Sequence, residues 1–485
     1  MNRAAAQQAG TAIRWRATQL VGVEAIYFLR LLILARLLPP DAFGLVAIGV
    51  AAIGVMHSVS NLGLIPALVQ RPSASLEEYN AAWTVGFGRA AVIALVLVVG
   101  ADPIATLFGE PKAAAIIQAL ALRPLLEAAS SIGMVRLTKE MHFARLAMIA
   151  LIAAIVDTAT AWITVQWWGV WALVAGSLAG GLATVAVSYV LAPHAVRLSF
   201  RFSAIAPLIH YGRWVLITGI VALVGSTATQ VAVSRLEGVA ALGLYFLAGK
   251  VALLPGNAAS AIISSVAFPM FARLRADAAA TAAAFRTLLI GQSVVLLPCY
   301  AVMLVLAPAL EAVLGERWTG TAPIIQILAV SGITSLLGEL VTPLLMGRGR
   351  ADRAFILEMV QTGVLLLVLL PLVSALGAKG AALAWLTGNV AALLVTLGWL
   401  RTLLPGGLTL DTLPLLAALA ASAGGAAAAA WSAATIPGVA GLVLGGAFGL
   451  AVAAGMLVVF NRWLALNLWE LAKWVWGARA ASGAP

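Results

Sequence analysis

RWRATQLVGVEAIYFLRLLILARLLPPDAFGL, residues 14–45, has an echo in RWVLITGIVALVGSTATQVAVSRLEGVAALGL, residues 213–244. Arg14-Trp15 returns as Arg213-Trp214, Arg36-Leu37 as Arg235-Leu236 and Gly44-Leu45 as Gly243-Leu244, each at an offset of 199. The register holds without a gap through a whole apolar run and the turn after it, and each run is long enough to cross a bilayer, which takes about 20 helical residues. Farther on, LFGE (107–110) recurs as VLGE (313–316) and IIQALA (116–121) as IIQILA (324–329), at offsets of 206 and 208. Apolar sequences match one another easily. Arg, Trp, Glu and Gln at steady offsets do not follow from composition, and the pattern reads as an internal duplication. Each copy holds six spans. Six is even, so both copies enter from the same face, related by a pseudo-two-fold axis along the membrane normal, with a substrate path expected between them.

The rest of the 485 residues fits this plan. Hydrophobic residues make up 63% of the chain, charged residues 10%, and the mean hydropathy is +1.05. Soluble domains are about half apolar and about a quarter charged, so the main solvent here is lipid. Hydropathy places fourteen spans near 17–38, 43–68, 81–101, 113–135, 143–167, 169–192, 207–235, 239–268, 283–310, 322–346, 354–375, 380–400, 412–434 and 437–460. The expected fold is therefore an all-α integral membrane protein. It has a six-helix lobe with its N-tail over 1–206, a second over 207–403, and two extra helices with a C-tail over 404–485. No connection is long enough for an extramembrane catalytic domain, which needs at least about 50 residues.

The net charge of +11 would suggest nucleic acid in a soluble protein, but in a membrane protein position matters more than sum. Taking alternate connections from the N-tail, one side collects 20 basic residues and the other only Lys112, Arg235, Arg317 and Lys379. That asymmetry puts both termini in the cytoplasm. The N-terminus is not a cleavable signal, because the apolar stretch after Arg3, Arg14 and Arg16 carries Glu24 and Arg30 and runs on to Leu38. Cys299 is the single cysteine, no CxxC pattern is present, and His57, His142, His194 and His210 are scattered, so no metal or other cofactor is expected. There is no Walker A motif, and hence no ATP hydrolysis by this chain.

Nine charges fall inside the expected spans: Glu24, Arg30, Arg89, Arg123, Glu127, Asp157, Lys250, Glu339 and Glu358. A charge at the centre of a membrane helix costs about 2.5–3.5 kcal/mol even on a lenient scale, so these need water or partners. Glu24, Tyr27 and Arg30 follow at spacings of three and form one polar stripe on the first span. Arg123 and Glu127, four apart, can neutralise each other. Lys250 precedes Pro255-Gly256-Asn257, a triplet that should break its helix. Arg30, Arg89, Arg123 and Lys250 together suggest a cationic cavity for an anionic substrate, phosphate or pyrophosphate first, since Arg pairs with them in bidentate geometry. The alternative is that each cation is paired within its own half. Glu24, Asp157, Glu339 and Glu358 are candidates for a proton or sodium site. Gly441, Gly445 and Gly449 line one stripe of the last span and Gly176 with Gly180 another, read as close packing within the monomer in preference to a dimer interface.

Several stretches resemble the Wzx-type polysaccharide flippases of the multidrug/oligosaccharidyl-lipid/polysaccharide exporter superfamily: LARLLPPDAFGLVAIGV (34–50), NLGLIPALVQ (61–70), GVWALVAGSL (169–178), ALGLYFLAGK (241–250), VAFPMFARLRAD (266–277) and LGERWTGTAPIIQILA (314–329). The resemblance runs from about residue 12 to 400. It implies a fourteen-helix bundle with two six-helix lobes. It also implies a bacterial inner-membrane flippase that moves undecaprenyl-diphosphate-linked oligosaccharide repeat units across the bilayer for lipopolysaccharide or exopolysaccharide synthesis. Membrane lipids, H+ or Na+ and polysaccharide assembly proteins are the implied partners. Arg30 and Lys250 lie on helices where related lipid-linked-precursor flippases place cations. Gln230 stands where many of them have an acid on the seventh helix, which puts ion coupling at that helix in doubt. An ion-coupled multidrug antiporter of the same superfamily would want an acidic cavity and normally twelve spans. A membrane polymerase or ligase would want a long catalytic loop, and none is present.

Overall fold

In a computed structural model of the chain, the residues described are 3–60, 68, 75–194, 197–199, 213–403 and 412–463. The segment 61–67 of one resembling stretch, the linker 404–411 and the tail 464–485 lie outside them. Among the described residues all regular secondary structure is helical.

The chain runs through α1 (Arg3–Leu37), α2 (Pro40–Ser60), α3 (Leu76–Val99), α4 (Ala101–Phe108), α5 (Ala113–Leu120), α6 (Leu122–Ala129), α7 (Gly133–Lys139), α8 (Phe143–Trp168) and α9 (Trp171–Leu191). It continues through α10 (Arg213–Ala252), α11 (Leu254–Arg273), α12 (Ala278–Leu314), α13 (Thr321–Gly347), α14 (Ala351–Leu376), α15 (Ala378–Leu403), α16 (Thr412–Thr435) and α17 (Gly438–Trp463). Among the described residues eleven helices are long and apolar enough to cross a membrane, or twelve if the bent pair Ala113–Ala129 and Gly133–Lys139, meeting at 58°, is one span. The expected boundary between spans 207–235 and 239–268 falls at Gly238 (φ 87, ψ 170), where α10 is two helices joined across a kink, and a further break follows at Leu253, with Pro255 in the first turn of α11. Proline lacks an N–H to donate and is tolerated at a helix start, so it ends α10 without disturbing α11.

Local chemistry sets the boundaries. Pro39-Pro40 stops α1 and opens α2, and Ser75 with Glu78 forms a reciprocal capping box at the start of α3. Left-handed turns follow α4 at Gly109 (φ 78), α7 at Met141 (φ 58) and α8 at Gly169 (φ 52). They recur after α12 at Gly315 (φ 97), after α13 at Gly349 (φ 74) and after α14 at Gly377 (φ 59). The pairs 109/315, 141/349 and 169/377 stand 206, 208 and 208 residues apart, the offsets of the sequence repeat.

Two compact units emerge, Met1–Gly243 and Leu244–Pro485. In the first, α1 and α9 pack on α8, α6 packs on α3 and α9, and α2 packs on α5. In the second, α12 is flanked by α13, α16 and α17, and the core gathers Phe271, Phe285, Leu340 and Leu344. Gly441, Gly445 and Gly449 of α17 are internal. A Cβ on Gly449 would lie 2.6 Å from the Gly425 carbonyl oxygen of α16, and one on Gly445 would lie 3.4 Å from Leu306 of α12. At the α8–α9 turn Trp162, Trp167, Trp168 and Trp171 are exposed, as in the aromatic belt at a membrane interface.

Candidate functional site

The charged residues of the first unit converge. Arg30 on α1 meets Asp157 on α8 at 3.0 Å, and its Nη2 also donates to the Leu173 carbonyl on α9 at 3.3 Å. Asp157 is only 3% exposed. It fits because α9 presents no side chains there: a Cβ on Gly176 would fall 2.7 Å from the Asp157 carboxylate and one on Gly180 would fall 2.8 Å from its Cβ. The small-residue stripe of α9 is thus a niche for a carboxylate as well as a packing surface. Arg30 Nε is buried with no hydrogen-bond partner, so the pair leaves donor capacity on the guanidinium unused.

Arg123 on α6 extends the cluster. Its Nε donates to Glu127 Oε1 at 2.9 Å and its Nη1 to both Oγ (2.7 Å) and the carbonyl (3.1 Å) of Ser177. His57 Nε2 on α2 lies 3.7 Å from the other Glu127 oxygen. Tyr27, one turn before Arg30, lies in the electrostatic field of Glu24, Arg30, Arg123 and Asp157 together. Glu24, Arg30, Arg123 and Asp157, all expected to matter, are therefore neighbours. Ser177 and His57 join them unforeseen, although the small residues around Ser177 marked the place.

The remaining candidates lie elsewhere. Arg89 is half-buried on α3. Lys250, in the second unit, is exposed on α10 with its ammonium 5.4 Å from the centre of the Phe246 ring. Glu339 on α13 accepts from Ser335 at 3.4 Å, hydrogen-bonds Ser260, and sits near Tyr300, while its Oε2 is buried without a partner. Glu358 on α14 accepts from Thr362 at 3.4 Å. Gln230 Oε1, on α10, is likewise buried and unpartnered.

The repeat provides an internal control. Shifted by 199, Glu24, Tyr27 and Arg30 become Leu223, Ser226 and Thr229; shifted by 208, Arg123, Glu127 and Asp157 become Ser331, Ser335 and Leu365. Even the niche is kept, since Gly180 becomes Gly388, whose Cβ would lie 3.3 Å from Leu365. At the matching positions the second copy carries none of these charges.

A multi-pass, all-helical membrane protein with a cluster of ionisable residues gathered among its helices has the makings of a transporter for a polar cargo. The chain belongs to the polysaccharide biosynthesis protein family, whose model matches residues 33–323. It is 25% identical over 486 residues to the succinoglycan biosynthesis transport protein ExoT of Rhizobium meliloti (strain 1021), covering 98% of this chain and 96% of that one. It is 24% identical over 349 residues to the lipopolysaccharide biosynthesis protein WzxC of Escherichia coli (strain K12), 70% of each. Its fold matches the lipid II flippase MurJ in an inward closed conformation with a TM-score of 0.71 at 13% identity, covering 93% of this chain and 99% of that one. The resemblance read from the sequence to Wzx-type flippases and their superfamily thus stands.

Proposed function

We propose that this protein flips undecaprenyl-diphosphate-linked oligosaccharide repeat units from the cytoplasmic to the outer leaflet of a bacterial inner membrane. It does so by alternating access, in a fourteen-span bundle of two six-helix lobes and two added helices with both termini cytoplasmic. The observation that carries the reading is the cluster around Arg30 and Arg123. Two guanidinium groups are held at membrane depth in one repeat copy, and the other copy does without them. The names of the relatives supply the cargo class, and a sugar head group could not cross bare hydrocarbon, where each unpaired hydroxyl costs several kcal/mol.

In this mechanism the carboxylates of Asp157 and Glu127 hold the places of the diphosphate. An arriving diphosphate competes for Arg30, whose Nε is unsatisfied, and for Arg123, which Ser177 orients. Displaced from Arg30, Asp157 is a buried carboxylate without a counter-charge and takes a proton or a sodium ion, which ties cargo movement to an ion gradient. Glu24 modulates that exchange from the next turn of α1. Arg89 and Lys250 are further candidate contacts for the anionic cargo, and Glu339 and Glu358 are the second copy's own candidate ion sites. No ATP or other cofactor takes part.

Translocation in proteoliposomes tests this reading, with a fluorescent polyprenyl-diphosphate oligosaccharide and an impermeant quencher. Arg30→Ala and Arg123→Ala should each slow protein-dependent loss of protection at least roughly tenfold, the scale of one charge-assisted contact; Lys250→Ala should slow it less. Unchanged rates in both arginine variants would remove the site. A parent protein that moves no lipid-linked sugar but exports cationic dyes would put the antiporter in its place.

A further inference from the structure

At one end of the second unit, two turns bring arginines together. Gly347, the last residue of α13, packs on the end of α11: a Cβ there would lie 2.9 Å from the Ala272 nitrogen and 3.0 Å from Phe271 Cβ. The next residue after Gly347 is Arg348, and the next after Ala272 is Arg273. Arg275 follows on the α11–α12 turn and Arg286 in α12, while Arg350 follows on the α13–α14 turn and Arg353 in α14. The six stand around one apolar core, where Phe271, Phe285, Leu344, Leu345, Ala354 and Leu400 gather the ends of five helices. Against these cations, residues 270–290 and 344–357 offer two acids, and both are engaged. Asp277 accepts from the Ala280 nitrogen at 2.9 Å, and Asp352 pairs with Arg350 at 3.3 Å.

Both turns are fixed before anything binds. The buried Thr281 hydroxyl donates to the Leu274 carbonyl at 2.8 Å, and Gly349, at φ 74, lets the Arg350 nitrogen reach the Leu345 carbonyl at 2.8 Å. Arg353 is held against α15, its Cζ 5.4 Å from the centre of the Trp399 ring in a cation–π contact. The apolar spans of α12 and α14 begin at Ala278 and Ala351, and those of α13 and α15 end at Gly347 and Leu400, so the arginines stand at a membrane boundary. Beside them Ile356, Met359 and Leu367 on α14 and Leu394 and Leu397 on α15 are exposed, an apolar face that runs from the boundary into the bilayer. Fixed guanidinium groups thus adjoin a surface that only hydrocarbon covers well.

Membrane topology does not ask for so much charge here. The helix-capping residues Ser75 and Asp277 set an offset of 202, and the later turns keep 208. By these offsets Arg275, Arg286, Arg348 and Arg350 become Ser73, Thr84, Glu140 and His142 in the first copy, and Ala279 and Ala280 become Glu77 and Glu78. The first copy meets the positive-inside bias with a mixed surface. In the second the cations are all arginine, whose planar fork pairs with two phosphate oxygens at once. We propose that this arginine cluster is a headgroup site for an anionic phospholipid, its phosphodiester held between the two turns and its acyl chains laid along the exposed faces of α14 and α15. Six arginines less two carboxylates leave +4, which suits a lipid with two phosphates, diphosphatidylglycerol. A free anion would leave the apolar face uncovered, and a soluble acidic protein would not reach it. The site is apart from the cluster around Arg30, and its test does not need the cargo.

Native mass spectrometry of the full chain in detergent reads bound lipid directly. The parent should hold diphosphatidylglycerol at least roughly tenfold more tightly than phosphatidylcholine with matched acyl chains, which carries no net charge. Arg348→Gln combined with Arg353→Gln should weaken that binding roughly tenfold or more. Arg136→Gln combined with Arg145→Gln, on the matching turn of the first unit, should change it by less than about twofold. Arg348→Lys combined with Arg353→Lys keeps the charge and loses the fork; it should weaken binding roughly threefold and serves if the glutamine variant does not fold. Equal retention of the two lipids, or equal loss in the variants of both units, overturns the site and leaves only a general basic surface. Displacement of the lipid by inorganic phosphate at equal phosphate concentration gives the cluster to a free anion. An acidic soluble protein that purifies with the parent and is lost from the arginine variants, while their lipid binding stays whole, gives it to a protein partner.

Discussion

Arg30 and Asp157 stand 127 positions apart and meet in a part of the membrane where neither could stay charged alone. Removing one partner of such a pair typically costs about 3–5 kcal/mol, because the other is left buried and uncompensated, whereas replacing both with packed neutral residues is often neutral or better. Asp157→Asn should therefore lower the thermal unfolding temperature of the purified protein in detergent. Arg30→Thr combined with Asp157→Leu, which installs the second copy's own residues, should bring it back to the parent value while leaving transport lost. Stability that stayed low in the double variant would show that the pair is structural cement. Outside the spans, His194 is buried beside Asn80, its Nε2 3.0 Å from Oδ1, and burial together with the charge of Arg136 pulls its pKa below the usual histidine value. The folded state thus binds a proton less readily than the unfolded chain. Its contribution is whole above the ordinary histidine range and is lost as pH falls below it. Protection factors over residues 188–194, corrected for the slower intrinsic exchange in acid, should fall on going from neutral pH to about pH 5.5, and His194→Gln should flatten that dependence. The charges themselves were legible as intramembrane outliers, and Arg123–Glu127 as an i,i+4 pair. The partner of Arg30 was not, because only the packing of α1, α8 and α9 brings the two together.

For the helices, period and punctuation carried most of the reading. Long apolar runs gave the spans, and in the structure Pro39-Pro40, Gly109, Gly169, Gly315 and Gly377 stand at helix ends that hydropathy alone did not single out. Between the expected spans 207–235 and 239–268 the chain turns at the permissive Gly238, while the further break at Leu253, inside the second span, was signalled by Pro255 and not by hydropathy. The glycines of α9 announced a close approach but not its occupant. Gly180→Ala would place a methyl group 2.8 Å from Asp157 Cβ and should cost about 1–3 kcal/mol of overpacking while tilting the carboxylate away from Arg30. Gly388→Ala, whose methyl group would fall 2.6 Å from the Gln361 carbonyl oxygen and 3.3 Å from Leu365, should cost at least as much stability, but with no charged pair beside it should leave the transport rate of the folded protein intact. Equal loss of activity in both variants would mean that α9 and α15 need glycine for helix packing alone.

At the scale of the whole molecule, duplication separates what holds the protein together from what it uses. Two copies of one helical plan repeat their turns at matched offsets, and only one carries the ionised cluster. Neutral substitution at Leu223, Thr229 and Leu365 should accordingly be tolerated far better than at Glu24, Arg30 and Asp157, as a transport-selected mutational scan would show. The topology is checked separately: tags at both termini should resist protease added to intact cells with a permeabilised outer membrane, the positive-inside bias being its cause.

The tryptophans at the α8–α9 turn also fix a depth. If Trp168 marks one membrane interface, Asp157, eleven residues back along an unbroken helix, lies about 16 Å inside it, close to the middle of a hydrocarbon core about 30 Å thick. An ion arriving there from either face falls through about half the transmembrane voltage, worth about 1 kcal/mol per 100 mV. If Asp157 is the coupling site proposed above, the electrical potential of the cell, and not acidity alone, helps decide how often that carboxylate is occupied.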